Sequence, residues 1–352
     1  MQQITLIPGD GIGPEVTQSA RDVVTAAGAN VSWDTVSAGM QTGKQQGTPL
    51  PASVFESIAV TRLALKGPVQ TPFGDDYPVC VERGTGPRIY PSVTIALRKE
   101  LKLFVNVRPA RNYPSVKSRF DNVDLLIFRE NSEDLYAGRE RMVDADTAEA
   151  IKIITRQGSE RVARFAFDYM RKVGRRKLSV IHKSNVMKLT DGMFLRTAQE
   201  VARDYPEFEV NQRVVDALCM ELVIRPEEFD CLLLPNLYGD IVSDLAAGLV
   251  GGLGVAPGAN IGSDCAMFEA VHGSAPDIGG KDIANPMAMI LSAVMLLRYI
   301  GEAQAADRVE QALTAVLRDK KHVTRDLGGS AGTREMTAAI IRNLSGSSPT
   351  NS

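Results

Sequence analysis

Short apolar runs of strand length alternate with longer stretches of helical periodicity along nearly the whole chain, and no other feature restricts its fold as much. ITLIP, VSWDTV, LFVNVRP, DLLIFREN, KLSVIHKSN and FDCLLLPN each read as a strand ending in a polar or proline-bearing turn. Between them lie helical stretches such as 159–173 and 191–203, and a helix beginning near Pro14. This alternation predicts an α/β fold with substantial parallel sheet, whose functional groups gather beyond the carboxyl ends of strands. Arg108, Arg129, Glu130, His182, Lys183 and Asn236 all stand at that kind of position. No linker rich in proline or serine separates two halves, so a second domain is expected to be inserted within the first.

The charge balance narrows the class of partner. A formal net charge of −2 gives no reason to expect a nucleic acid or an anionic membrane. Cys80, Cys219, Cys231 and Cys265 occur singly, which suits a reducing compartment and argues against a disulfide framework or a zinc ribbon. His182, His272 and His322 include no H-E-x-x-H pair, so a zinc site built on histidines is not expected. The longest apolar run, 287–297, is too short to span a bilayer and follows the helix-start signal Asn285-Pro286. It reads as a buried core or interface helix. The chain enters a strand at Gln2 with no signal-peptide pattern before it, and a cytoplasmic location is the expectation.

Two local patterns bear on chemistry. In PNLYGDIVSDLAAGLVGGLG, Asp240 and Asp244 stand four residues apart in an otherwise apolar helical stretch. On a helix they share one face, and like charges at that spacing repel, so something positive should sit opposite. No lysine follows along this stretch until Lys281, and a divalent cation such as Mg²⁺ or Mn²⁺ suits paired carboxylates better than a solvated face does. GDGIGPE, residues 9–15, spaces its glycines as G-x-G-x-G and so matches neither G-x-G-x-x-G nor a Walker A loop. Alone it reads as a tight strand-to-helix turn.

Taken together and in order, LIPGDGIGPE, LKGPVQTP, SVTIALRKELKLFVNVRP, FRENSEDLYAG, IHKSNVMKLTDG, the Asp240 stretch and HGSAPDIGGKDIANP resemble the β-decarboxylating dehydrogenases. That family includes the isocitrate, isopropylmalate, homoisocitrate and tartrate enzymes, and FRENSEDLYAG is most similar to the isocitrate branch. The resemblance implies a two-domain α/β fold of isocitrate/isopropylmalate dehydrogenase type, not a Rossmann fold. Residues 1–100 and 246–352 would form a large cofactor-binding domain, and residues 101–245 a smaller inserted one. It further implies a homodimer with active sites shared between subunits, clasped by a short segment after Tyr136.

The resemblance also assigns roles. Arg98, Arg108 and Arg129 would clamp the carboxylates of isocitrate, which the bidentate guanidinium fork fits. Ser92 and Thr94 would line the substrate site. Asp240 and Asp244, with Asp216 from the other subunit, would hold the metal, which would bind the substrate's hydroxyl and α-carboxylate. As a residue read alone, Asp216 could equally be a helix N-cap. Lys183 would deprotonate the alcohol, its own proton destabilised by positive neighbours, and Tyr136 would protonate the enolate carbon. Ile7, Lys66, Thr71, His272, Gly273, Ser274, Ala275, Asp277, Ile278 and Asn285 would contact the cofactor. Asp277 and Ile278 stand where NADP-dependent relatives resemble Lys-Tyr, and a carboxylate there repels a 2′-phosphate, so NAD is expected. Arg325 is the nearby cation that could soften that preference.

Two departures affect substrate choice. Thr94 replaces the asparagine typical two positions after the substrate serine, and the loop 73–91 is longer than usual. Homoisocitrate dehydrogenase is therefore the alternative enzyme, ahead of the isopropylmalate and tartrate types. A non-catalytic regulatory subunit is the alternative of another class, though such subunits typically lose metal or acid/base residues that this chain keeps.

Overall fold

The computed structural model describes residues 1–70, 79–83 and 86–345. Thr71 and the start of the long loop lie outside the described residues. The chain begins with β1 (Gln2–Ile7), α1 (Gly13–Ala26), β2 (Val31–Thr35), α2 (Met40–Gln46), α3 (Ala52–Thr61) and β3 (Leu63–Lys66). It continues through β4 (Val79–Arg83), β5 (Gly86–Tyr90), α4 (Val93–Glu100), β6 (Val105–Arg111) and β7 (Asp124–Glu130). A 3₁₀ turn at Asp134–Ala137 precedes β8 (Glu140–Met142), β9 (Ala148–Ala150), α5 (Arg156–Val173), β10 (Lys177–His182) and α6 (Thr190–Ala202). Then come β11 (Glu209–Val214), α7 (Val215–Ile224), β12 (Cys231–Leu234), α8 (Asn236–Leu249), β13 (Pro257–Ile261) and β14 (Ala266–Ala270). Three helices close the chain: α9 (Met287–Tyr299), α10 (Ala303–Asp319) and α11 (Thr333–Ser345).

Ten strands form one sheet in the order β11-β10-β12-β7-β6-β13-β14-β3-β1-β2. Both wings are parallel, as the alternation of strand and helix requires. The centre is not: β7–β6, β6–β13 and β13–β14 pair antiparallel. One wing, through β6, draws on the middle of the chain, and the other, from β13 outward, on its two ends. The expected strands all appear, and the expected helical stretches are α5 and α6.

Local chemistry sets the boundaries. Proline in the first turn of α1 starts that helix where its missing N–H costs nothing. Thr155 caps α5 by accepting from the Gly158 N–H, and Gly174 ends the helix at φ 76°. α9 is buried nearly all round, which is the signature of a core helix. No helix among the described residues is long and apolar enough to cross a membrane.

Two expectations need correction. The described part of the loop 73–91 is the β4–β5 hairpin, because Val79 and Val81 alternate with Cys80 and Glu82 and pack into a second core with Val93, Ala96 and Leu97. Arg108 is not at a strand's carboxyl end but at the middle of β6. It still approaches Arg129 because β6 runs against β7 and sets Asn106 directly opposite Arg129.

Candidate active site

α8 carries Asp240 and Asp244 on one face, and the positive charge opposite them comes from arginines. Arg129, at the end of β7, pairs with Asp240. Arg108 Nη1 lies 3.2 Å from Asp244 Oδ1, and its Nη2 lies 3.5 Å from Asp240 Oδ1. Asn236 Oδ1 accepts from Nε and Nη2 of Arg129 at 3.0 and 2.7 Å, and Ser243 Oγ from Nη1 of Arg108 at 2.6 Å. These neutral partners satisfy donors of two guanidiniums that are almost wholly buried. A Cβ at Gly239 would lie 2.5 Å from Cγ of Arg129, so glycine lets the arginine lie against the helix.

Tyr136 closes this cluster. Its hydroxyl donates to Asp240 Oδ2 at 2.5 Å, and Arg129 stands 4.8 Å from the centre of its ring. Burial and the bond to Asp240 push the Tyr136 pKa up, so the phenol keeps its proton. Burial, joined by repulsion from Arg98 and Arg108, pulls Arg129 down to about 10. Asp240 moves down because Arg129, Tyr136 and Arg108 outweigh its burial, whereas burial and its neighbour Asp240 push Asp244 up. Lys99 of α4 donates to the carbonyl of Ala137 at 3.0 Å and so ties that helix to the Tyr136 turn.

Beside the arginines opens a cavity of about 200 Å³, lined in part by Lys66, Thr94, Arg98, Asn106, Arg108 and His272. Glu269, from β14, organises its floor. It pairs with Lys66 at 2.7 Å and with Arg98 at 3.2 Å, and accepts from Asn260 Nδ2 at 2.7 Å. Burial raises Glu269, but Lys66 and Arg98 prevail and hold it at about 2. The sequence reading missed this carboxylate. The signal was there, since a charge inside the buried strand AMFEA demands a partner. Nε of Arg98 and Nε2 of His272 are buried without partners, which suits a site built to receive polar groups. Ser92 is half-buried and caps α4 by accepting from the Ile95 N–H at 3.1 Å.

The cofactor candidates fall into two sets. His272 and Gly273 border the cavity, and the following loop meets the Gly9–Gly13 turn, where Ile12 N–H donates to the Ser274 carbonyl at 2.8 Å. Gly9 and Gly11 have positive φ in that turn, and a Cβ at Gly11 would lie 2.0 Å from the Ser274 oxygen. Ala275 also has positive φ, Asp277 is exposed and Ile278 is half-buried. Asn285 donates to Asp326 at 2.8 Å. Lys66 is spent on Glu269 and on the Gly67 carbonyl, and the Ile7 side chain is in the core.

Lys183 and Asp216 pair with each other elsewhere. Asp216 lies in the first turn of α7 but does not cap it, because Val214 is the N-cap residue and no side chain caps the helix. No hydrogen bond or ion pair among the described residues joins either to Asp240, Asp244 or the three arginines, and no three metal-ligating side chains gather there. Asp240 and Asp244 are hard oxygen donors on one helix face, a set that fits Mg²⁺ or Mn²⁺ with further ligands from outside the chain.

The family model described as isocitrate/isopropylmalate dehydrogenase matches residues 3–340. The mitochondrial NAD isocitrate dehydrogenase catalytic subunit 5 of Arabidopsis thaliana is 46% identical over 341 residues, covering 97% of this chain and 88% of that protein. A regulatory subunit of the mitochondrial NAD isocitrate dehydrogenase of Dictyostelium discoideum is 43% identical over 345 residues, covering 98% and 92%. The crystal structure of isocitrate dehydrogenase from Methylococcus capsulatus matches with a TM-score of 0.91 at 48% identity, covering 98% of this chain and 99% of that one. Both curated relatives are named mitochondrial, which overturns the expectation of a cytoplasmic location. That expectation rested on the chain's first residues, which carry no information about compartment.

Proposed function

The chain belongs to the isocitrate/isopropylmalate dehydrogenase family, and we propose that it converts isocitrate to 2-oxoglutarate by oxidative decarboxylation with NAD and Mg²⁺ or Mn²⁺. The observation that carries this reading is the meeting of Arg108 and Arg129 with Asp240, Asp244 and Tyr136 beside a cavity lined by Arg98 and Arg108. A tricarboxylate needs several fixed cations, and arginines held by Asn236, Ser243 and the carboxylates of Asp240, Asp244 and Glu269 supply them in preset geometry. Ser92 and Thr94 would face the γ-carboxylate with hydroxyls, which favours isocitrate over an apolar analogue and over the longer homoisocitrate.

A divalent cation on Asp240, Asp244 and the Asp216 of a second copy would supply Lewis-acid polarisation of the substrate's oxygens. NAD would supply the hydride acceptor, held by the 272–278 loop, Asn285 and Thr71. Asp277 favours it over NADP, whose phosphate it would repel. Lys183 would take the hydroxyl proton. Tyr136, kept protonated by burial and Asp240, would deliver a proton to the carbon that loses CO₂.

Lys183 and Asp216 lie apart from the arginine cluster within one chain, and this supports a homodimer in which they serve the neighbour's site. The exposed β8–β9 hairpin, with Met142 63% exposed, is the segment we assign to the subunit clasp. The change of chain ownership between β6 and β13 supports a large domain of residues 1–100 and 246–352 and a small one of 101–245. One relative is named a regulatory subunit, so ligand binding without turnover is the second reading. The presence of Tyr136, Lys183, Asp216, Asp240 and Asp244 together favours catalysis. NADH formation by the purified chain, measured with isocitrate and Mn²⁺, tests it.

A further inference from the structure

Lys152 has no part in the chemistry above, yet it stands at the centre of a buried ionic bridge. Its Nζ lies 2.7 Å from Oδ1 of Asp191 and 3.5 Å from Oδ1 of Asp134, and both carboxylates are fully buried. The ammonium also stands 4.3 Å from the centre of the Tyr238 ring. Removing three charges from water is costly unless each finds further partners. For the carboxylates, those partners are backbone amides at functional segments. Asp191 Oδ2 accepts from the N–H of Lys183 at 2.7 Å. Asp134 Oδ2 accepts from the N–H of Leu237 at 3.0 Å, at the start of the helix that carries Asp240 and Asp244. Asp134 also opens the 3₁₀ turn that holds Tyr136, and its φ of 67° lies in the left-handed region, which a non-glycine residue keeps only when its surroundings hold it there. Its own N–H donates to the carbonyl of Ile153, next to Lys152, at 2.8 Å.

We propose that Lys152 is a positioning residue that fixes the segments bearing Tyr136, Asp240 and Lys183 relative to one another. The proposal rests on the shared-site reading above and extends it: because Lys183 serves the neighbour's site, the bridge joins the two active sites of a dimer through each chain. No hydrogen bond or ion pair among the described residues joins Lys152, Asp134 or Asp191 to Arg98, Arg108 or Arg129, so the bridge does not itself hold the carboxylate clamps.

The test uses full-length Lys152→Met and Lys152→Arg, each corrected for the folded fraction. For Lys152→Met at saturating Mn²⁺, kcat should fall about tenfold or more while KM for isocitrate changes less, within about threefold, because the proton-transfer groups are displaced and the arginine clamps are not. Lys152→Arg, which keeps the charge, should recover much of the loss. Hydrogen exchange of the unliganded protein should accelerate together at the Lys183 and Leu237 amides in Lys152→Met. Should that variant fail to fold, Asp191→Asn carries the same comparison. A lower melting temperature with unchanged kcat per folded chain would overturn the proposal, as would faster exchange at only one of the two amides. A wild-type chain without turnover of isocitrate would count against the functional reading alone, and the exchange measurement would still decide the bridge.

Discussion

Nη1 of Arg108 lies 3.2 Å from Oδ1 of Asp244, so a guanidinium from the middle of β6 meets the carboxylate one helical turn beyond Asp240. A divalent cation on this helix face would compete for oxygens that accept from arginine and tyrosine. Asp240→Asn and Asp244→Asn should each weaken Mn²⁺ binding and lower kcat by about a hundredfold or more, since each removes a charge where catalysis depends on it. Circular dichroism should show the fold retained. Unchanged Mn²⁺ affinity in both variants would remove the metal assignment.

The shared site should show in complementation. Lys183→Met and Arg129→Ala homodimers should each be nearly inactive. Co-refolded mixtures should regain part of the activity, because one site of each mixed dimer then has all its residues. Mixed dimers that form but stay inactive would place both residues in the same site.

Glu269 makes stability depend on pH. Its pKa falls from an ordinary 4.5 to about 2 in the folded chain, so the unfolded chain binds the proton more readily between those values. The stabilisation is complete above about pH 4.5 and is lost as pH falls towards 2. Glu269→Gln should therefore flatten the acid limb of a urea-melt stability profile in that window. At neutral pH it should cost about 3–5 kcal/mol, because Lys66 and Arg98 stay buried without their counter-ion. A profile parallel to wild type would contradict the pairing.

Cofactor choice should follow Asp277. NAD should be preferred over NADP in kcat/KM, and Asp277→Lys should narrow the gap by replacing repulsion of the 2′-phosphate with attraction. A wild-type preference for NADP would point instead to Arg325 as a phosphate clamp.

Ser92 caps α4, and a mutation would separate that role from the proposed contact with substrate. Ser92→Ala removes a helix cap and should cost about 1 kcal/mol of stability. It should also reduce turnover of isocitrate, whereas Ser92→Thr should keep the cap and more of the activity. Equal turnover in wild type and Ser92→Ala would take Ser92 out of the substrate site.

The sequence made the outer architecture plain, because strand and helix periods alternate cleanly in both wings. It hid the centre of the sheet, since periodicity tells a strand's faces but not its direction, and β6–β7 and β13–β14 turn back with no helix between them. Asp240 and Asp244 were legible because two like charges on an apolar helix face are unfavourable without a partner. The pairings of Glu269 with Lys66 and of Asn106 with Asn260 were not, because each joins strands far apart in sequence. Lys152 escaped notice for the same reason: a single lysine between Ile151 and Ile153 reads as the solvent side of an alternating segment until the fold encloses it.

This chain should turn over isocitrate by itself. Purified protein should be given isocitrate, homoisocitrate, isopropylmalate and tartrate in turn, each with NAD and Mn²⁺, while NADH and released CO₂ are both followed. NADH and CO₂ should appear in equimolar amounts, with the highest kcat/KM for isocitrate. Saturable binding of isocitrate without either product, in protein shown to be folded and dimeric, would contradict it and identify a regulatory subunit instead.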